Sequence, residues 1–236
     1  CLDRIGVDVR RATIEAIHPQ EKSATVDGER IQADALVVAL GAELAPQAVT
    51  GFKEHAFNVY DPEDIPRAEK EVSEFKGGRV VIGIFGAPYK CSPAPYEMAI
   101  LLSEKFRARG VKASIEVFSP QPKSLPILDK ESCDSFESRL EGHGIAFHPN
   151  HKATSIEAGK VIFENKQIEF DLLLGVPPHK APAVVRDSGL VGQSGWVDIN
   201  PRTMETSFEG VYAIGDVTQI MLANKNLCPK LACLPS

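Results

Sequence analysis

Cys91 stands directly ahead of Ser92-Pro93, a pair that predicts a helix start, with serine as N-cap and proline at the first helical position. Helix N–H groups at such a start favour an anionic sulfur, and the thiolate is the form that attacks disulfides or carries sulfur. A second candidate is Gly215-Asp216, which follows the apolar run Val211-Tyr212-Ala213-Ile214. Glycine lets the backbone approach a ligand closely, and aspartate accepts hydrogen bonds from a sugar-like hydroxyl chain. In a parallel sheet that strand end is where ligands sit. His148, His151 and His179 fall in polar or proline-rich turns without metal-site spacing and are expected at the surface.

The elements that must position these groups are legible around the cysteine. Val80 to Ile84 reads as a buried parallel strand, and Gly83 and Gly86 allow a tight turn and a close approach. The helix after Cys91 carries Met98, Leu101, Leu102 and Phe106 as an apolar stripe and stops at Gly110. Val111 to Phe118 predicts a second strand. Asp129 to Leu140 predicts a helix with Cys133, Phe136 and Leu140 on its inner face, and Ile145 to Phe147 a third strand. Alternation of this kind implies right-handed βαβ units.

Elsewhere, Val7 to Ile17 reads as two extended runs, and Ala24 to Ile31 as strands joined by the turn Asp27-Gly28. Ala35 to Leu40 reads as a buried strand ending at Gly41. Residues 47–75 read as a connector with little core of its own and a charged helix near Ala68 to Phe75. Residues 181–194 read as polar and turn-rich, and Trp196 to Ile199 as a strand.

An internal repeat organises the whole. The stretch ending at Asp34 and its buried strand overlays the stretch ending at Asp171, at an offset of 137 residues. Each copy looks like the closing half of a dinucleotide-binding domain, a β-meander feeding a last parallel strand. The second copy has its opening half from Val80 onward, whereas the first would need about 60 further residues upstream, with any phosphate-binding glycine loop. The chain is therefore expected to be a fragment.

Composition narrows the function class. A net charge of −6 and a pI near 5.6 argue against a nucleic-acid or anionic-membrane surface. The five cysteines, Cys1, Cys91, Cys133, Cys228 and Cys233, are widely spaced and form no CxxC pair, which suits a reducing compartment or a redox thiol. No run is long enough to span a bilayer, and no signal peptide is evident. The expected location is cytoplasmic.

Three motifs carry a resemblance: Asp34-Ala-Leu-Val-Val-Ala-Leu-Gly41, Cys91-Ser-Pro-Ala-Pro-Tyr-Glu97 and Val211-Tyr-Ala-Ile-Gly-Asp216. With them the chain resembles the FAD-dependent pyridine nucleotide-disulfide oxidoreductase superfamily, within it the sulfide:quinone oxidoreductase and flavocytochrome c sulfide dehydrogenase group. The resemblance implies an α/β fold: a Rossmann-like three-layer dinucleotide-binding domain with a β-meander, plus remnants of a second, FAD-binding domain. Residues 1–46 and 177–236 would belong to the FAD-binding domain, truncated, and residues 47–176 to an inserted NAD-type domain.

By the same resemblance, Ala39, Gly41 and Ala42 would contact the flavin nucleotide. Asp216 would bind the ribityl or phosphate side of FAD, with Gly215 giving close approach, and Lys230 would lie near the flavin. Cys91 would be the redox thiol over the flavin ring, and Glu97, farther along the helix, a proton relay. Electrons would pass from sulfide or a thiol through Cys91 and FAD to a quinone or another acceptor, and the parent could touch a membrane peripherally. The partner cysteine of the group would lie beyond this chain, with Cys228 and Cys233 as the nearby substitutes. The loop Gly83-Ile-Phe-Gly86-Ala-Pro88 has two of the three fingerprint glycines, which argues against tight NAD binding. The alternatives are an NAD(P)H-dependent flavin dehydrogenase and a catalytically silent fragment that does not bind FAD.

Overall fold

The computed structural model describes residues 5–220. They divide into two compact units, named by their order along the chain: the inner unit, residues 43–180, and the outer unit, residues 5–42 with 181–220. The division lies slightly outside the limits of 46 and 176 expected from the sequence. The reason is a short antiparallel tie, Glu43–Leu44 paired with His179–Lys180, that belongs to the inner unit.

The inner unit is built on a five-stranded parallel sheet, in the order Phe57–Asn58, Leu172–Val176, Gly78–Ile84, Ala113–Phe118, Ile145–His148. Its central strands are buried on both faces. Val80, Ile82 and Ile84 face the helices Ile65–Glu74, Ala94–Ala108 and Lys130–Gly142. Val81 and Leu173 face a three-stranded antiparallel meander, Ala153–Glu157, Lys160–Phe163 and Gln167–Glu169. Three layers result, and each fully buried aliphatic side chain contributes about 2 kcal/mol. Gly83 lies inside its strand, not in a turn. A Cβ there would come within 2.6 Å of the Phe118 and Phe85 rings, which meet edge to face at 5.1 Å.

Helix boundaries follow their capping chemistry. The Ala94–Ala108 helix ends on Arg109 and Gly110, the latter at φ +67°, with Val111 N–H donating to Phe106 O and Gly110 N–H to Arg107 O. The Lys130–Gly142 helix is capped by Asp129, which accepts the Ser132 N–H. Cys133 and Leu140 are fully buried along it.

Several expectations are corrected. Ser92 does not cap its helix; Pro93 holds that position, and no side chain caps it. Leu101 is 58% exposed, nearly opposite the buried arc of Tyr96, Ala99, Leu102 and Phe106. The supposed connector carries core: Phe52, Ala56, Ala68 and Val72 are buried, and Phe57–Asn58 is an edge strand of the sheet. His148, His151 and His179 are half-buried rather than superficial. The His148 ring pairs with Glu116 at 2.8 Å, and the other two rings bond to the carbonyls of Pro149 and Pro177.

The outer unit repeats the meander theme. Ile14–His18, Ser23–Val26 and Glu29–Gln32 form an antiparallel sheet turned at Asp27-Gly28, and the middle strands of the two meanders are 137 residues apart. Of residues 7–17 only those from Ile14 onward are strand. Leu36–Val38 pairs in parallel with Val211–Ala213 over Ile17, Val185, Leu190 and Val197. Val37 is 56% exposed, so this strand is covered on one face and not on two. Residues 181–194 are also less polar in effect than in composition, because Ala181, Val185 and Leu190 are buried around the helix Ala183–Asp187. Among the described residues no helix is long and apolar enough to cross a membrane.

Candidate thiol and nucleotide sites

In the inner unit, residues 85–93 lead from the central strand to the Ala94–Ala108 helix. Phe85 and Tyr89 turn inward, Tyr89 being 1% exposed, while Cys91 is exposed. Gly86 passes so close to Pro178 that a Cβ would meet its Cα at 3.0 Å. Cys91 adopts φ +49°. Its carbonyl accepts the Ala94 N–H at 2.9 Å and lies 3.2 Å from the Tyr60 hydroxyl.

The start of the helix differs from a phosphate-binding one. Pro93 and Pro95 have no N–H to offer. The Ala94 N–H is taken by Cys91, and those of Tyr96 and Glu97 by Pro93 O at 3.1 and 3.0 Å. Every amide of the first turn is absent or already bonded, so this turn has no free N–H to offer an anion, and the helix N–H support expected for a Cys91 thiolate is not found. What it presents is a thiol.

Glu97 is exposed on the first turn and opens onto a shallow surface cavity of about 360 Å³ with Met98, Leu101 and Lys105. Cys91 is not among the residues lining that cavity. The structure instead brings Tyr60 and Tyr89 to the cysteine turn. Burial first, and then neighbouring phenols and the Cys91 thiol, push both tyrosines above their ordinary range. Tyr89 is adjacent to the turn in sequence, but nothing local marks Tyr60.

In the outer unit, the paired strands Leu36–Val38 and Val211–Ala213 end side by side, and Ile214 N–H donates to Val38 O at 3.0 Å. Behind them come Gly41 at φ +69° and Gly215 at φ +74°, and a Cβ added to either would meet nothing within 4 Å. Ala39 is exposed, and Gly41, Ala42 and Asp216 are partly so. A one-turn helix, Gly215–Val217, holds Asp216, and the buried Thr218 hydroxyl donates to Gly215 O at 2.7 Å. Two left-handed glycines, open space and a carboxylate stand at one parallel strand end, where the main chain could approach a nucleotide closely and the carboxylate could accept from its sugar hydroxyls. Lys230, Cys228 and Cys233 lie outside the described residues.

Residues 2–227 match the family described as pyridine nucleotide-disulphide oxidoreductase. The mitochondrial sulfide:quinone oxidoreductase of Mus musculus is 23% identical over 231 residues, covering 91% of this chain and 51% of that protein. Its counterpart in Schizosaccharomyces pombe is 25% identical over 224 residues, 86% of this chain and 48% of that one. The solved sulfide:quinone oxidoreductase from the hyperthermophilic bacterium Aquifex aeolicus matches with a TM-score of 0.81 at 22% identity, covering 92% of this chain and 54% of that one. The chain thus spans about half the length of the curated relatives it matches. At these identities the structural likeness shows the fold.

Proposed function

Because the chain belongs to the pyridine nucleotide-disulphide oxidoreductase family, an FAD-dependent one, we propose that it serves a flavin oxidoreductase of sulfide:quinone type, with Cys91 as the thiol that takes up sulfur. The observation that carries this reading is the cysteine turn: an exposed thiol on a left-handed residue that leads from the central strand into the Ala94–Ala108 helix. Bound FAD supplies acceptance of an electron pair. The Cys91 thiolate and a hydrosulfide ion join in a persulfide, releasing one proton and that electron pair. Glu97, in the first turn of the helix that follows Cys91, is assigned to take the proton, and a quinone is the final acceptor. Ala39, Gly41, Ala42, Gly215 and Asp216 are assigned to hold the nucleotide, with Lys230 near the flavin ring. In this reading residues 43–180 form the inserted NAD-type domain and the outer unit belongs to the FAD-binding domain. The enzyme acts from the cytoplasm with peripheral membrane contact.

The test is a visible absorbance scan of the purified chain, alone and after incubation with FAD. Bound flavin that sulfide bleaches, and that stays coloured in Cys91→Ser, is the expected result. Bleaching by NADH instead would favour the dehydrogenase reading. A colourless chain that ignores FAD would leave the silent-fragment reading standing.

A further inference from the structure

Cys91 sits at φ +49°, a conformation that side chains disfavour, so the turn must be held by its surroundings. Two phenols from different parts of the chain reach it. The Tyr60 hydroxyl donates to Lys90 O at 2.6 Å and lies 3.2 Å from Cys91 O, and the Tyr89 hydroxyl donates to Ser92 O at 3.0 Å. We propose that Tyr60 and Tyr89 are positioning residues that clamp three consecutive carbonyls of this turn and thereby fix the direction in which Cys91 presents its thiol. The proposal rests on the reading of Cys91 as the reacting thiol.

The clamp is itself anchored. Val59 N–H donates to Gly175 O at 3.1 Å, tying the start of the Tyr60 turn to a central strand. Tyr60 N–H donates to Oδ1 of the buried Asn58 at 3.0 Å, and the Tyr60 ring meets the His179 ring edge-on at 5.5 Å. Tyr89 is fixed by its own burial. Both phenols stay protonated donors, since their surroundings hold them above the usual tyrosine range. Sulfur transfer needs the attacking sulfur aligned with the bond it breaks, and a turn held at three carbonyls restricts the thiol to that approach.

The test follows thiol–disulfide exchange at Cys91 in wild type, Tyr60→Phe and Tyr60→Phe/Tyr89→Phe. The probe is a dithiodipyridine. The Cys91 thiolate attacks it, the probe's S–S bond breaks, a thiopyridone leaves and a mixed disulfide forms, with no added oxidant. Mass spectrometry of the Cys91 peptide gives the rate from about pH 6 to about pH 9. The single variant should lower the plateau rate about fivefold and the double variant at least about tenfold. The midpoint of the pH profile should not move, because the lost bonds go to carbonyl oxygens and not to sulfur. Cys133, fully buried, should remain unlabelled throughout and reports any general unfolding.

Variant rates within about twofold of wild type would overturn the clamp. So would a shifted midpoint with an unchanged plateau, or a fall accompanied by labelling of Cys133. Failure of the Cys91 reading itself shows separately, as a wild-type rate no higher than that of the same peptide in the denatured chain. In that case the ratio of variant to wild type still decides the clamp.

Discussion

The Asp171 carboxylate occupies the space where a side chain on Gly78 would begin. Its Oδ2 accepts the Arg79 N–H at 2.7 Å and lies 2.2 Å from the position of a Gly78 Cβ. Gly78 also has φ +124°, so the strand can start there only with glycine. Gly78→Ala should therefore cost about 3 kcal/mol, from backbone strain and from loss of the carboxylate bond. Gly110→Ala, at φ +67° with nothing within 4 Å of its Cβ, should cost only about 1 kcal/mol. Urea denaturation of the two variants checks the order, and equal costs would argue against the Asp171 contact.

The buried face of the Ala94–Ala108 helix is tested by two leucines adjacent in sequence. Leu102→Ala should lose about 2–4 kcal/mol, since its side chain packs in the core. Leu101→Ala should change stability by less than about 0.5 kcal/mol. Thermal and chemical melts of the pair settle which face meets the sheet.

Sequence periodicity drew that face with one wrong member for an identifiable reason. Of the expected stripe, Leu102 and Phe106 are buried and Met98 packs against the core, but scoring large aliphatic side chains also selects the exposed Leu101 and passes over Tyr96 and Ala99, an amphipathic residue and a small one. Phe52 and Phe57 were obscured in the same way, separated by charged residues and lying downstream of Gly51. By contrast the Val80–Ile84 strand, the Gly110 stop, the Asp129–Leu140 helix and the repeat at 137 residues were legible, because each depends on local pattern. Tyr60 was not. Its link to the Cys91 turn spans about thirty residues and is made by a hydroxyl to main-chain oxygens, which leaves no local trace.

His151 gives the inner unit a pH dependence of known sign. Burial lowers its folded pKa below 6.5, with Lys166 and His148 adding to the effect and the bond to Pro149 O opposing it. The unfolded chain therefore binds the proton more readily, and stability should fall as pH drops below about 6.5 toward the lower folded pKa. His151→Gln should flatten that part of the stability–pH curve, measured by denaturant midpoints at several pH values. An unchanged slope would show that another group carries it.

In the outer unit, Asp216→Ala should weaken FAD binding by about tenfold or more while leaving the melting temperature of the FAD-free chain close to wild type. Asp216 is partly exposed and stands at the open strand end, so its loss removes an acceptor for the ligand without opening a core cavity. Fluorescence titration with FAD measures the affinity. Equal affinity in variant and wild type would remove Asp216 from the binding set.

The tie between Glu43–Leu44 and His179–Lys180 makes the inner unit behave, to the chain around it, like the tip of a hairpin. Its entry and exit run antiparallel and in register, with Leu44 opposite His179 and Lys180 opposite Glu43. A module closed at its neck in this way can be exchanged or excised with little change in the entropy of joining its ends, because the ladder already holds them together. The mass of the insert is thus decoupled from the topology of its host. A short turn grafted across the same neck, in place of residues 45–178, should leave the ladder of Glu43–Leu44 and His179–Lys180 in register.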